Sequence, residues 1–244
     1  MDVNNWKSES VKKFYSENRS DLSQLYKSER YFLEKIELKN SSVLDIGCAC
    51  GGFYNIFKQL AGVVVYTGID VSSTLIEEAK RSYPDAAFYV AGGEKIGFGD
   101  NAFDLVYSSG VFHLIEDSWK GLYREAYRVS RNKILIDFRL TDKESTRGKI
   151  FLDFYGSGEK NYAVYTILNV FELFDFLNSL DPLPARISAY GYMHKPSHMS
   201  SVEPDEVCMA FFLVEKGGGG NTKTEYNIEL PFKDIENKIR ERYL

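Results

Sequence analysis

The stretch SVLDIGCACGGFYNIF, residues 42–57, limits what this chain can fold into more than any other feature. An apolar run ends in the small residues that follow Asp45, and an apolar pattern with helical spacing resumes at Gly52. A strand that ends in small residues and restarts as a helix brings backbone N–H groups close to a ligand. The stretch therefore predicts a strand–turn–helix unit that holds a ligand against its backbone.

The same rhythm of strands and helices continues downstream of this unit. Short apolar runs alternate with amphipathic segments that carry N-cap residues. The predicted strands are residues 43–46, 63–69, 87–90, 105–107, 134–138, 187–190 and 207–214. Such alternation is typical of a parallel sheet covered on both faces. We therefore predict an α/β fold, a Rossmann-like, doubly wound sheet of seven mostly parallel strands.

The last two predicted strands are joined by a short link that contains Pro196 and Pro204 and has no helical pattern. This link suits a hairpin, so the last strand is predicted to be antiparallel. Residues 165–180 are predicted to form a helix, because their apolar residues follow helical spacing.

The chain is predicted to divide into one main domain with two extensions. Residues 1–40 form an N-terminal helical cap, and residues 41–216 form the main domain. An insertion rich in Lys, Asp and Gly occupies residues 141–160, and residues 217–244 form a linker and a docked or swapped tail.

Charge and cysteine content narrow the class of partner. The net charge of −5 provides no global basic field, so nucleic acid is not expected as a substrate. No apolar run approaches the length of a membrane span, and Cys48 and Cys50 lack the spacing of metal ligands. We expect a cytoplasmic protein with reduced thiols, a small-molecule substrate and no bound metal, and a homodimer is an open alternative.

Three kinds of ligand compete for the glycine-rich turn. A P-loop requires a lysine after its last glycine, whereas Phe53 follows Gly52 here. GCACGG does not match the dinucleotide fingerprint, and the carboxylate of Asp45 would repel a pyrophosphate. S-adenosylmethionine, which carries a sulfonium and an ammonium group, suits Asp45 better. Asp70, at the end of the second strand, would then accept hydrogen bonds from both ribose hydroxyls.

At these residues the chain resembles the class I S-adenosylmethionine-dependent methyltransferases, in the branch similar to methyltransferase type 11. LDIGCACGG is similar to the first family motif, with Ala49 in place of its second glycine, and YTGIDVS is similar to the second. YVAGGEKIGFGDNAFDLVYSSGVFHLIED resembles the stretch that walls the adenine and forms the fourth strand. The resemblance covers residues 42–137 and extends more weakly to residue 214.

The resemblance implies a set of cofactor-binding residues by their positions in these motifs. They are Asp45, Gly47, Cys48, Ala49, Gly51, Asp70, Val71, Gly93, Glu94, Ser108 and Ser109. Residues 47–49 would offer backbone, Val71 would pack on the adenine, and the two serines would lie beneath the methionine and sulfonium. Gly92 stands where many members carry an aspartate that reaches the adenine amine.

Candidates for the acceptor side follow from the rule that ligands bind beyond the carboxyl ends of parallel strands. His113 and His194 are the candidate catalytic residues, as general bases. The candidate substrate-binding residues are Arg139, Tyr155, Tyr192 and His198. Arg139 would hold an anionic group of the substrate, with a surface ion pair to Asp137 or Asp142 as the alternative. The alternative role for His113 and Tyr155 is packing in the core. The alternative for His194 and His198 is a place on a solvated hairpin tip.

These observations together predict an enzyme, a methyltransferase that uses S-adenosylmethionine to methylate a small molecule, with a hydroxyl as the acceptor. NRSDLSQLY and RISAYGYMHKP are also similar to segments of methyltransferases found with bacterial surface-polysaccharide genes, so the narrower prediction is a sugar acceptor. Two alternatives stay open. One is a nucleotide-dependent oxidoreductase on a Rossmann fold, and the other is a non-catalytic protein that binds S-adenosylmethionine.

Overall fold

The computed structural model describes residues 3–62, 64–92, 95–156, 158, 161–218, 220 and 223–244. The strands are β1 Ser42–Ile46, β2 Val65–Asp70, β3 Ala87–Val90, β4 Phe103–Ser108, β5 Ser130–Thr141, β6 Thr146–Phe151, β7 Tyr162–Asn169, β8 Arg186–His194, β9 Ser200–Ser201, β10 Val207–Glu215 and β11 Glu225–Glu229. The helices are α1 Glu9–Glu17, α2 Lys27–Leu33, α3 Gly52–Ala61, α4 Ser73–Ser82, α5 Trp119–Val129, α6 Val170–Leu177 and α7 Ile235–Tyr243.

The main sheet has the strand order β3-β2-β1-β4-β5-β10-β8-β11. The first five strands of this order are parallel neighbours. β10 is antiparallel to both β5 and β8, as the short link before it predicts. The prediction of a doubly wound, mostly parallel sheet with an antiparallel strand at β10 is therefore confirmed, but the predicted count of seven strands is too low, because the described residues contain eleven. Additional strands come from the insertion and from the C-terminal tail, where β11 pairs with β8 in parallel.

The helix predicted over residues 165–180 is wrong in its first part. Residues 162–169 form strand β7, which pairs with β6 and also with the end of β5. The sequence YAVYTILN is rich in aromatic and β-branched residues, which favour a strand. The helix begins only after Asn169, whose side chain accepts hydrogen bonds from the N–H groups of Phe171 and Glu172.

The N-terminal segment and the insertion pack against each other. Phe14 of α1 stacks on Phe154, with ring centroids 4.0 Å apart, and the Ser10 hydroxyl accepts a hydrogen bond from the Phe154 N–H at 3.1 Å. The Tyr155 hydroxyl reaches the Glu17 carboxylate at 2.7 Å. The two segments that lie outside the alternating pattern thus form one continuous cover.

Apolar side chains fill both faces of the sheet. β1 is buried along most of its length, and Val43, Leu44 and Ile46 are each 3% exposed or less. Full burial of such a side chain contributes about 1.5–3 kcal/mol. The buried clusters place α5 and α6 on one face and α3 on the other. Among the described residues, no helix is long and apolar enough to cross a membrane.

The C-terminal tail docks on the sheet edge through β11 and α7. The hydroxyl of Tyr243 in α7 donates a hydrogen bond to the Asp175 carboxylate of α6 at 2.6 Å. This agrees with a docked tail, while the division at residues 41, 141 and 217 stays a prediction.

Candidate cofactor and acceptor site

A cavity of about 470 Å³ lies at the carboxyl ends of β1, β2 and β4. Its wall includes Gly47 and Ala49 of the turn after β1, Asp70 and Val71 after β2, and Ser109 after β4. Five residues of the predicted cofactor set thus surround one space, although they come from three separate segments of the sequence.

The turn after β1 has a backbone geometry that requires glycine at its start. Gly47 has φ +76°, and a Cβ atom added there would lie 2.2 Å from the Val111 Cγ2. The N–H groups of Gly47 and Cys48 both donate to the Ile69 carbonyl, at 2.8 and 3.0 Å, which ties the turn to β2. Ala49 also has a positive φ, +47°, so the predicted departure from glycine at this position is accommodated with a left-handed backbone.

Asp70 lies at the floor of the cavity, at the end of β2. Its two carboxylate oxygens accept hydrogen bonds from the backbone N–H of Ala49 at 3.0 Å and of Ser72 at 2.9 Å. Burial raises the pKa of Asp70, and these hydrogen bonds oppose that shift because they stabilise the ionised form. A carboxylate offers about four lone-pair positions, so Asp70 retains capacity for two further donors.

Gly92 lies on the cavity wall directly beside Val71. A Cβ atom at residue 92 would come within 2.3 Å of the Val71 Cγ1. A side chain there, including the aspartate of many family members, would therefore displace the residue expected to face the adenine. The predicted adenine-edge residues Gly93 and Glu94 lie outside the described residues.

A smaller cavity of about 40 Å³ adjoins the turn on its other side and is lined by Asp45, Cys48 and Arg19 among others. Asp45 is 2% exposed and accepts a hydrogen bond from the Tyr66 hydroxyl at 2.5 Å. Burial raises the pKa of Asp45 to about 7, with the Asp70 carboxylate adding to the shift and the Tyr66 hydroxyl opposing it. A cationic group would favour the ionised form of this carboxyl.

Arg19 reaches this smaller cavity from the N-terminal segment. Its Nη2 atom contacts both carboxylate oxygens of Glu29, at 2.7 and 2.8 Å, and donates to the Ser109 hydroxyl at 3.0 Å. Glu29 is fully buried and also accepts a hydrogen bond from the Tyr107 hydroxyl. Burial opposes the charge of Arg19, but the Glu29 carboxylate holds the pKa of Arg19 above its ordinary value.

The N-terminal segment also covers the main cavity. Trp6 and Tyr15 contribute to its wall, and the Ser72 hydroxyl donates to the Trp6 carbonyl at 3.3 Å. The fit is close, because a Cβ atom on Gly52 would lie 2.5 Å from the Arg19 carbonyl oxygen. Sequence reasoning missed Trp6, Tyr15 and Arg19 as site residues, since helical spacing predicts a helix without showing where it docks.

A second group of polar side chains lies beyond the main cavity, at the end of β5. Arg139 is 6% exposed and donates from Nη1 to the Asp137 carboxylate at 2.5 Å. The other Asp137 oxygen accepts a hydrogen bond from the Gly110 N–H at 2.7 Å. Burial raises the pKa of the nearby Tyr165 hydroxyl, and the charge of Arg139 opposes that shift. The surface ion pair considered for Arg139 is thus a buried one, with Asp137.

His113 lies beside this group. Its ring meets Tyr165 edge-on, with centroids 5.1 Å apart, and its buried Nδ1 atom has no hydrogen-bond partner among the described residues. Burial, with the charge of Arg139 as the second cause, holds the pKa of His113 well below its ordinary value. The imidazole is therefore neutral near pH 7.

The other predicted residues lie at varied distances from the cavities. Tyr192 is half-buried on β8, and Met209 pairs in register with both Tyr192 and Arg139. Tyr155 is 45% exposed and bonded to Glu17, as described above, which makes it part of the outer cover. His194 is the last residue of β8, and His198 lies on the link to β10. Both are exposed, and neither lines a cavity described here.

Two residues of the predicted cofactor set support the turns without lining a cavity. Ser108 is fully buried and donates to the Ile46 carbonyl at 2.8 Å, and Gly51, with φ +80°, caps the start of α3. Over the described ranges, no cluster of three or more His, Cys, Asp or Glu residues has a geometry for a metal ion.

Comparison with known proteins agrees with this geometry. Residues 43–133 match the family described as "Methyltransferase domain". The chain is 28% identical over 119 residues to the demethylmenaquinone methyltransferase of Thermotoga maritima, a match that covers 48% of this chain and 52% of that protein. It is 30% identical over 157 residues to the putative methyltransferase 235L of Invertebrate iridescent virus 6, which covers 59% of this chain and 57% of that protein. The matches thus span little more than half the length of these relatives.

The fold is also shared with solved structures. A SAM-dependent methyltransferase from Methanosarcina mazei superposes with a TM-score of 0.59 at 16% identity, over 79% of this chain and 98% of that one. The predicted family and its cofactor are thereby confirmed at the level of the domain. Residues 43–133 thus match a methyltransferase domain, of the class I kind that depends on S-adenosylmethionine.

Proposed function

We propose that this protein transfers the methyl group of S-adenosylmethionine to a hydroxyl group of a small molecule. The observation that supports this most is the pairing of two carboxylates on one continuous wall. Asp70 lies at the floor of the main cavity, and Asp45, beside Arg19, lies in the smaller cavity across the turn.

Each charged part of the cofactor has a chemically matched residue on this wall. The remaining lone pairs of Asp70 would accept both ribose hydroxyls, and Val71 would pack on the adenine. Asp45 would bind the ammonium group and Arg19 the carboxylate of the methionine part. A dinucleotide would instead bring its pyrophosphate toward Asp45, where like charges repel. The family match does not favour the oxidoreductase or the non-catalytic alternative.

The residues of the chain would orient the reactants and exclude water. Bound S-adenosylmethionine supplies a methyl group activated by the neighbouring sulfonium. Trp6 and Tyr15 cover the cavity and limit access of water to it. The loop of Ser109 and Gly110 lies between the cofactor cavity and the group around Arg139, so residues of that group would hold an acceptor next to the cavity.

The residues on the acceptor side suit a molecule with several hydroxyl groups. Tyr165 and Tyr192 offer phenolic hydroxyls near Arg139, and aromatic faces there can pack on a sugar ring. His113 is neutral and its Nδ1 has no partner among the described residues, so it is our candidate for the base that takes the hydroxyl proton. A sugar, free or carried on a nucleotide, is the acceptor that we propose.

The test is an incubation with methyl-labelled S-adenosylmethionine and a panel of free sugars and sugar nucleotides. Total protein and RNA serve as competing acceptors, and the Asp70→Ala variant is the negative control. We expect label in the sugar or sugar-nucleotide fraction of the wild-type reaction only. Transfer to protein or RNA alone would contradict the proposal, as would binding of S-adenosylhomocysteine without turnover on any acceptor.

A further inference from the structure

We infer that the acceptor of this reaction carries an oxyanion, a carboxylate or a phosphate, and that Arg139 binds it from the end of β5. The inference rests on the proposed function and names the class of its substrate. It would restrict a sugar acceptor to sugar acids and phosphate-bearing sugars.

Arg139 stands at the active-site edge because β5 is longer than its neighbour. The last register pair between β4 and β5 joins Ser108 to Ile136. β5 continues to Thr141, so Asp137 and Arg139 lie on the part of the strand that extends past the end of β4. The loop that follows Ser108 lines the cofactor cavity, and the extension of β5 contacts this loop through the hydrogen bond from the Gly110 N–H to Asp137.

Two hydrogen bonds connect the cavity wall to the guanidinium group. Gly110, which lines the cavity, donates to Asp137 at 2.7 Å, and Asp137 accepts from Arg139 at 2.5 Å. The guanidinium therefore lies within the span of a small molecule from the cavity that would hold the methyl group. A group bound there can orient an acceptor without occupying the cofactor cavity.

The hydrogen bond to Asp137 holds the Arg139 side chain in place and leaves other N–H groups of its guanidinium available to bind an oxyanion. A guanidinium has five N–H donors, and the hydrogen bond found for Arg139 among the described residues goes to Asp137. Both oxygens of Asp137 are occupied, one by Arg139 and the other by Gly110. The remaining N–H groups can form the paired contacts that a carboxylate or phosphate prefers.

Two cations border this group: Arg139, paired with Asp137, and Lys27, whose Nζ lies 5.8 Å from the centre of the Tyr192 ring. His113 is neutral there because its pKa is held low, and Tyr165 and Tyr192 contribute neutral hydroxyls, whose pKa values burial raises. Arg139 itself is 6% exposed, so an oxyanion that reaches it would be weakly screened by solvent. Neutral hydroxyls beside a fixed guanidinium, with the Lys27 ammonium group near Tyr192, form a site that would select an anion and form hydrogen bonds with its polar substituents.

The experiment measures the thermal midpoint of the protein saturated with S-adenosylhomocysteine, with inorganic phosphate or acetate replacing chloride at constant ionic strength. A ligand that binds only the folded protein raises the midpoint by mass action. We expect at least one of the two anions to raise it above the chloride value. The anion with the larger shift assigns the group as phosphate or carboxylate. Identical midpoints in all three salts would overturn the inference.

Arg139→Gln is the diagnostic variant, and Arg186→Gln is its matched control. Arg186 is the first residue of β8, at the edge of the sheet away from Arg139. Its side chain is half-exposed and paired with Glu215 and Glu225. We expect the apparent affinity for the anion, obtained from the shift in thermal midpoint, to fall at least tenfold in Arg139→Gln. The same shift should persist in Arg186→Gln. An anion shift retained in Arg139→Gln would assign the anion to another site and refute the inference.

Two further measurements separate failure of this inference from other failures. Arg139→Gln leaves Asp137 buried without its partner, so the double variant Asp137→Asn with Arg139→Gln removes both charges together and is measured if the single variant does not fold. The shift produced by S-adenosylhomocysteine alone tests the proposed function independently. Binding of that ligand without an anion response would refute the oxyanion and leave the methyltransferase proposal intact.

Discussion

Two buried arginine–carboxylate pairs flank the loop after β4, and they differ in origin. Arg19 and Glu29 come from the N-terminal segment and reach the loop through the Ser109 hydroxyl. Arg139 and Asp137 come from β5 and reach it through the Gly110 N–H. The same loop is thus held by the cover on its cofactor side and by the sheet on its acceptor side.

The difference lies in how fully each carboxylate is engaged. Glu29 accepts from Arg19 with both oxygens, and also from the Tyr107 hydroxyl and the Tyr26 N–H. Asp137 has one partner for each oxygen, Arg139 and Gly110. The first pair therefore joins the cover to the core and, in the function proposed above, would also bind the cofactor, whereas the second mainly orients its arginine. Substitutions in the two pairs, and in the residues near them, should therefore have different effects on stability, on cofactor binding and on acceptor binding.

The largest expected effect is on cofactor binding, from Asp70→Ala. Two hydrogen bonds to a charged group contribute about 3–6 kcal/mol together, so affinity for S-adenosylhomocysteine should fall about 100-fold or more. Calorimetric titration measures this, with exposed Asp85→Ala as the control, which should bind like wild type. Similar affinity in Asp70→Ala would remove Asp70 from the cofactor site and with it the assignment of the main cavity.

The next effect is on stability, from Arg19→Met. The variant leaves the fully buried Glu29 without its cation, which should lower the free energy of unfolding by about 3–5 kcal/mol. The control is Arg81→Met, because Arg81 is exposed and paired with Glu78 on the surface of α4, where a loss below about 1 kcal/mol is expected. Urea denaturation measures both variants. Equal losses would mean that the Arg19–Glu29 pair does not join the cover to the core.

A smaller effect is expected at the glycine turn. Gly47→Ala places a methyl group 2.2 Å from Val111 on a backbone with φ +76°, and we expect about 1–3 kcal/mol of lost stability. Gly62→Ala is the matched control, because Gly62 has φ +74° but open space around its Cα. The difference between the two thermal midpoints isolates the contact with Val111, and no difference would show that the turn can move away from it.

The smallest effect is a pH dependence from Asp45. Since its pKa is raised to about 7, affinity for the cationic cofactor should increase as pH rises from about 5.5 to 7, by up to tenfold per pH unit. For the free protein the sign is opposite, because stability from a carboxyl with a raised pKa is present at low pH and is lost as pH rises through 7. Titrations with S-adenosylhomocysteine across this range measure the first effect.

Two variants sharpen this pH test. Asp45→Asn should give a flat profile at low affinity, because the titrating group is gone. Tyr66→Phe should move the midpoint to higher pH, because the Tyr66 hydroxyl stabilises the ionised carboxylate. A wild-type profile that is already flat, or a midpoint that moves to lower pH in Tyr66→Phe, would contradict the placement of the ammonium group at Asp45.

The grouping of residues around the main cavity was largely predictable from sequence, because its signals are local. The turn after β1 and the acidic end of β2 are each recognised from a few consecutive residues. Because β1 and β2 are parallel neighbours, their carboxyl ends meet at the same edge of the sheet. Both Asp45 and Asp70 were found in this way. Their partners in the cover were not, since Arg19 and Ser109 are 90 residues apart and no periodic pattern connects them.

The acceptor half was less predictable for a different reason. β7 was predicted as helix, since its apolar residues continue without interruption into α6 and only Asn169 marks the boundary. Tyr165 was therefore not recognised as a neighbour of Arg139. The pairing of β7 with the extended end of β5 joins residues from two separate elements, and that pairing depends on tertiary packing rather than on propensity.

The most direct test of the central claim is a crystal structure of the protein with bound S-adenosylhomocysteine. We predict that both ribose hydroxyls lie within hydrogen-bond distance of Asp70, with the amino group at Asp45 and the carboxylate at Arg19. A ligand whose adenosine lies outside the cavity between Gly47 and Val71, or whose charged groups contact neither Asp45 nor Arg19, would contradict this account of the site.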